Sequence, residues 1–169
     1  MHLVIDAYNL IHRTMELAMA EAQQEGGGRR ALGMALSLYR KKRRHKITAV
    51  FDGGRDPDGG RATLHGIPAV FSGHRRSADQ VIISMARHQG AGLTVITDDR
   101  ELARACRAAG AEVIGSGEFG QRLMQVAYAG ADAGADDDDA GWDFTTKKKG
   151  PSRRLPKSQR RRQRRLNRL

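Results

Sequence analysis

The sequence predicts an α/β domain with a mainly parallel central sheet, followed by a linker and a basic arm. Short β-branched or apolar runs alternate with segments of helical periodicity, the pattern of a parallel sheet covered on both faces. That alternation stops after residue 129, where the composition turns to alanine, glycine and aspartate, including four consecutive aspartates at 136–139. The charge is also split: of 30 lysines and arginines, 12 fall in residues 147–169, which hold no acid, leaving 18 against 19 acids in residues 1–146. The expected organisation is a domain over 1–129, an acidic linker over 130–146 and an arginine- and lysine-rich arm over 147–169. A near-neutral body of this length can bury one core, and a basic arm points to a polyanion partner.

Residues 2–5 (HLVI) form an apolar strand-like run ending in Asp6. Leu10, Ile11, Met15, Ala18, Met19 and Ala22 then recur at helical spacing until Gly26, Gly27 and Gly28 interrupt them. Leu32, Ala35, Leu36 and Tyr39 mark a second helix, closed by the basic run 40–44. Residues 47–51 (ITAVF) read as a buried strand ending in Asp52, and 53–64, rich in glycine, aspartate and arginine, as loop. A weaker strand, 67–71 (IPAVF), carries a proline that predicts an edge position. Ser77 and Gln80 spell a capping box, opening a helix that buries Val81, Ile82, Met85 and Ala86. Residues 93–96 (LTVI) are the next strand, and Leu102, Ala103 and Cys106 define a helix ending near Gly110. A short strand at 112–114 leads through Ser116, read as a cap, into a helix with Phe119, Leu123, Met124 and Ala127.

Several function classes drop out. No apolar run approaches the ~20 residues of a membrane helix, and MHLVIDAYNL lacks the basic start of a signal peptide. A single cysteine excludes a disulfide framework and a multi-cysteine zinc site. The expectation is a soluble, cytoplasmic protein. Residues 115–120 spell GxGxxG, but no second strand with an acid follows, so no nucleotide cofactor is expected.

The chemistry is expected where strands end in acids. LVI ends in Asp6, TAVF in Asp52 and TVIT in Asp98 and Asp99. Parallel strands share one C-terminal edge, and ligands of open α/β sheets bind there. Asp79, in the first turn of a helix that follows a strand, starts from the same edge. Converging carboxylates repel unless a cation neutralises them, and hard oxygen ligands suit Mg²⁺ or Mn²⁺. Each acid also has a structural reading. Asp79 and Asp99 suit helix N-termini, Asp98 an N-cap with Glu101, and Asp52 an Asp-Gly-Gly turn. Asn9 either caps the first helix or orients water or phosphate beside Asp6.

Asp6-Ala7-Tyr8-Asn9-Leu10-Ile11, Val50-Phe51-Asp52, Ser77-Ala78-Asp79 and Thr97-Asp98-Asp99-Arg100, in this order and spacing, resemble the NYN domain of the YacP type, a PIN-like ribonuclease family. Ala7 replaces the glycine of the family's Asp-Gly-Tyr-Asn. The resemblance covers roughly residues 1–128 and implies a three-layer PIN-like fold. It implies Asp6, Asn9, Asp79 and Asp99 around Mg²⁺, with Asp52 close by and Asp98 the variable position. It also implies cleavage of single-stranded RNA, and a characterised member of this type is a ribosome-associated mRNA endonuclease.

The leading expectation is therefore an endoribonuclease in which Asp6, Asp79 and Asp99 hold Mg²⁺ or Mn²⁺, with Asp52 and Asn9 assisting attack by a metal-activated water. Arg75, Arg76 and Arg100 are candidate phosphate contacts, and Tyr8 a base-stacking or core residue. In the arm, Arg153, Arg154, Arg160, Arg161, Arg162, Arg164 and Arg165 suit forked contacts to phosphate, hence salt-sensitive binding of RNA or the ribosome. The alternative is a catalytically silent RNA- or ribosome-binding module. A third reading, an α/β phosphatase or phospho-acceptor domain built on Asp52, lacks paired acids after the first strand.

Overall fold

A computed structural model describes residues 1–54 and 56–128 of the chain. The linker and arm, with their seven candidate arginines, lie outside the described residues. Six strands form one sheet: β1 (His2–Asp6), β2 (Lys46–Phe51), β3 (Gly60–Leu64), β4 (Ile67–Phe71), β5 (Leu93–Ile96) and β6 (Glu112–Ile114). Their spatial order is β3-β4-β2-β1-β5-β6, and every neighbouring pair is parallel except β3 with β4. The helices are α1 (Ala7–Arg13), α2 (Met15–Gln23), α3 (Gly27–Arg43), α4 (Ala78–Gln89), α5 (Arg100–Ala108) and α6 (Ser116–Tyr128). Among the described residues no helix is long and apolar enough to cross a membrane.

Alternation along the strands builds two cores. Val4, Val50, Val95 and Val113 face α4 and α5, where Ala78, Ile82, Ala86, Leu102 and Cys106 close the layer. Leu3, Ile5, Ile47 and Phe51, at the alternate positions, are buried with Leu32, Leu36 and Tyr39 of α3 and Phe119 and Leu123 of α6. From β1 the chain steps to β2 and β4 on one side, then returns through α4 to β5 and β6 on the other. The strand order thus reverses at β1, and the ends of β1 and β5 flank the crevice where doubly wound sheets bind ligands.

The structure departs from the sequence reading in four places. The loop assigned to 53–64 ends in a strand, β3, nearly all of it exposed, so no apolar alternation announces it. His65 and Gly66, both at positive φ (49° and 80°), make the two-residue turn of the β3–β4 hairpin. β4 is consequently internal rather than at an edge; Pro68 is tolerated because pairing with β2 begins only at Ala49 and Ala69. The first helical stretch is broken at Thr14 into α1 and α2, and Met15 and Met19 are 72% and 55% exposed rather than core. Gly27 and Gly28 open α3, where the Glu21 carboxylate accepts from the N–H groups of Gly26 and Gly28. The capping box is present at Ser77 and Gln80.

Candidate active site

Each acid at the C-terminal edge is placed by the turn between a strand and its helix. Asp6 ends β1 and caps α1, its Oδ1 accepting from the Asn9 N–H at 3.4 Å. Its Oδ2 accepts from the Thr97 hydroxyl at 3.0 Å, and the same hydroxyl oxygen accepts from the Asp99 N–H at 3.1 Å. Thr97 therefore ties the ends of β1 and β5 together. Asp99 caps α5, with Oδ1 receiving the N–H groups of Glu101 and Leu102 at 2.7 and 2.9 Å, which directs the carboxylate back over the sheet edge. Asp79, in the first turn of α4, makes no hydrogen bond or ion pair among the described residues.

Asp6 and Asp79 both sense neighbouring carboxylates. Burial raises the Asp6 pKa most, opposed by its hydrogen bonds from Thr97 and Asn9 and reinforced by the charges of Asp79 and Asp99. Burial likewise raises Asp79, followed by repulsion from Asp99 and Asp52. Cys106, on the buried face of α5, is a core thiol pushed up to about 11 by burial, with the Asp79 charge adding to it. It is not a nucleophile at neutral pH.

Asp52 contributes differently. Its Oδ1 accepts from the Ser72 hydroxyl (3.0 Å) and the Ala78 N–H (2.8 Å), binding the end of β2 to the start of α4. It thereby sets the first turn that carries Asp79. Sequence reasoning missed Ser72; its signal was a polar residue directly after an apolar strand, on the same edge as the acids. Asn9 does not cap α1. It lies within the helix, and its side-chain oxygen accepts the Asp98 N–H at 3.0 Å, bracing the β5–α5 turn against α1.

Asp98 and Asp99, adjacent in sequence, do separate work. Asp98 does not cap α5; its Oδ2 accepts from the Gly117 N–H at 3.1 Å and lies 3.8 Å from Arg13 Nε. It serves the N-terminus of α6, the role expected of Ser116, whose hydroxyl is buried with no partner among the described residues. Gly115 makes this possible, since a Cβ there would lie 2.6 Å from Asp98 Oδ1. Among the basic candidates, Arg75 is ion-paired with Asp58 at 2.8 Å, while Arg76 and Arg100 are exposed near Asp79 and Asp99 in sequence. The basic run at 40–44 ends α3 just before β2 and so lies at the opposite end of the sheet.

The arrangement is an all-oxygen set with excess negative charge, which suits a hard divalent cation. Among the described residues no three His, Cys, Asp or Glu side chains are gathered so as to hold an ion by themselves. Mg²⁺ characteristically needs no such cage, taking one or two carboxylates and completing its shell with water and substrate phosphate.

The comparisons agree with this frame. Two crystal structures of Rae1 (YacP) from Bacillus subtilis are similar in fold. One, of a point mutant carrying leucine in place of a tryptophan, matches with a TM-score of 0.63 at 21% identity, over 74% of this chain and 76% of that one. The other matches with a TM-score of 0.60 at 21% identity, over 75% of each. No curated protein sequence matches. The profile of the YacP-like NYN domain matches residues 3–167, nearly the whole chain. The chain belongs to the YacP-like NYN domain family, a PIN-like ribonuclease family.

Proposed function

We propose that this chain is a divalent-metal-dependent endoribonuclease acting on single-stranded RNA, with mRNA, free or on the ribosome, as its substrate. The observation that carries the reading is the mutual repulsion of Asp6, Asp79 and Asp99 at the switch point of the sheet, with no cation paired to Asp6, Asp79 or Asp99 among the described residues. Family membership supports it.

In this reading Mg²⁺ or Mn²⁺ would be held by one or two of Asp6, Asp79 and Asp99, the others acting through bound water, with substrate phosphate completing the shell. An ion there would supply a water of lowered pKa for the attack and positive charge for the phosphate. The chain supplies the geometry. Thr97 and the Asn9 N–H fix both oxygens of Asp6. Asp52, with Ser72, holds the α4 start in place. The amide nitrogen of Asn9 has no protein acceptor among the described residues and remains for water or phosphate. In-line hydrolysis leaves a 5′-phosphate and a 3′-hydroxyl. Arg76 and Arg100 steer the strand toward the edge, and the arm adds sequence-independent affinity.

The test is cleavage of end-labelled single-stranded RNA, free or on translating ribosomes, by wild type and Asp6→Asn with Mg²⁺ or Mn²⁺. Products should vanish with EDTA and in the variant. A 2′,3′-cyclic phosphate would exclude attack by water. Intact RNA with undiminished binding by both proteins would favour the binding module. Removing 147–169 should weaken RNA binding and flatten its salt dependence.

A further inference from the structure

Beside the acids, on the α3 face of β2, lies a cavity of about 600 Å³ lined by Tyr8, Arg29, Asp52, Asp56, Phe71 and the bare backbone of Gly60. Its volume falls within the ~300–1,000 Å³ of small-ligand sites. Arg29 is the unusual member. Its guanidinium carbon lies 5.5 Å from the centroids of both Phe51 and Phe71, which stack on each other at 5.3 Å. One terminal nitrogen donates to Tyr8 Oη at 2.9 Å, and Tyr8 meets Phe51 edge-on at 5.5 Å. Nε is buried with no acceptor, and no carboxylate pairs with this arginine among the described residues. A buried donor left without an acceptor is destabilising.

The acids on the same cavity are half-used. Asp52 engages Oδ1 with Ser72 and Ala78, and Asp56 engages Oδ1 with the Asp58 N–H at 3.0 Å. Neither makes a bond through Oδ2 among the described residues. A forked cation lying against two rings and two half-used carboxylates thus face one cavity, with no ion pair between them among the described residues. The wall will stack a planar base. Arginine matches paired acceptors such as O6 and N7 of guanine, and carboxylates accept from that base's N1–H and amino group. Adenine pairs N7 with a donor instead, and its bare N1 repels a carboxylate.

We propose that this cavity is a guanine subsite that seats one base of the RNA strand next to the phosphate being cut. It rests on the nuclease reading, because Asp52 borders both the cavity and the acid cluster, and Tyr8 lies between Asp6 and Asn9 in the chain. The Tyr8 hydrogen bond and the two ring contacts already place the arginine on the cavity wall.

The test has two arms on the full chain. Calorimetric titration without metal should show GMP binding roughly tenfold more tightly than AMP. Arg29→Lys, which keeps the charge and loses the fork, and Asp56→Asn, in an exposed loop, should each erase the difference. Mapping cuts across a random single-stranded RNA pool should show guanine favoured at one fixed position from the cut, lost in the same variants. Equal affinity for GMP and AMP, or a cut preference unchanged in both variants, overturns the subsite. GMP preference without any cleavage would sink the nuclease reading and leave the subsite standing; cleavage without base preference would do the reverse.

Discussion

At the N-terminal end of the sheet, His2 is buried and both ring nitrogens are used. Nδ1 lies 2.8 Å from Gln89 Oε1 and Nε2 3.0 Å from Thr48 Oγ1. The basic last turn of α3 completes that end, with Arg40 donating to the Gly66 carbonyl and Lys42 to that of Ala127. Four residues further along the same strand, Asp6 faces two other carboxylates and, among the described residues, no cation. One sheet therefore carries a polar network whose donors and acceptors match, and a cluster whose charges do not. A fold tolerates the second only at a cost in stability, so the mismatched end is where a ligand is expected to supply what the protein lacks.

The largest break in this comparison comes from the acids. Asp6→Asn and Asp79→Asn should each lower cleavage by about a hundredfold or more, the loss of several kcal/mol of charge stabilisation. Neither should lower the melting temperature of metal-free protein at neutral pH. A fall in melting temperature with cleavage retained would make the acids structural.

Thr97→Val tests whether the edge depends on one hydroxyl. It removes the donor to Asp6 and the acceptor for the Asp99 N–H, and cleavage should fall about 10- to 100-fold, as for other residues that orient ligands. The metal concentration for half activity should rise with it, and Thr97→Ser should restore both. A general loss of stability would not distinguish the two variants in this way.

The matched end should respond in stability rather than activity. Thr48→Val leaves His2 Nε2 without a partner and should cost about 1–3 kcal/mol, visible as a drop of several degrees in melting temperature with cleavage per folded molecule unchanged. The two ends also respond oppositely to pH. The His2 pKa is lowered from 6.5, by burial above all, so its stabilisation is present above 6.5 and lost as pH falls through the lowered value. The Asp6 and Asp79 pKa values are raised from 3.8, so their contribution is full below 3.8 and lost as pH rises through the raised values. Metal-free Asp79→Asn should therefore outlast wild type at neutral pH, the gap closing in acid. Comparative thermal melts across pH would check both signs.

The smallest effect separates neighbours. Asp98→Ala should cost roughly 0.5–2 kcal/mol by uncapping α6, while the metal requirement of cleavage stays unchanged. A shift in that requirement would place Asp98 in the site alongside Asp99.

Much of the frame was legible because burial leaves a local trace. The runs HLVI, ITAVF and LTVI became β1, β2 and β5, and the Ser77 and Gln80 capping box opened α4. The strand β3 was not legible, since an exposed hairpin arm needs only a partner and a turn, and neither leaves an apolar pattern. Met15 and Met19 misled for the converse reason: helical spacing shows which residues share a face, not whether another element covers it. Among the candidate site residues, the aspartates were visible as strand endings. Asn9 was also visible beside Asp6, but its bond to the Asp98 N–H was not, and neither were the roles of Thr97 and Ser72, because these contacts span 89, 91 and 20 positions.

By itself, then, the sequence determined the order of the buried strands and the helices between them and the placing of an acid after three strands, since periodicity and composition are local properties of the chain. Tertiary structure alone decided that β4 is internal, that Asp98 serves α6 while Asp99 faces Asp6, and that Arg29 lies against Phe51 and Phe71 with no carboxylate partner among the described residues. Those outcomes depend on which distant segments meet, and the energies that select among them, packing and charge pairing, act through space rather than along the chain.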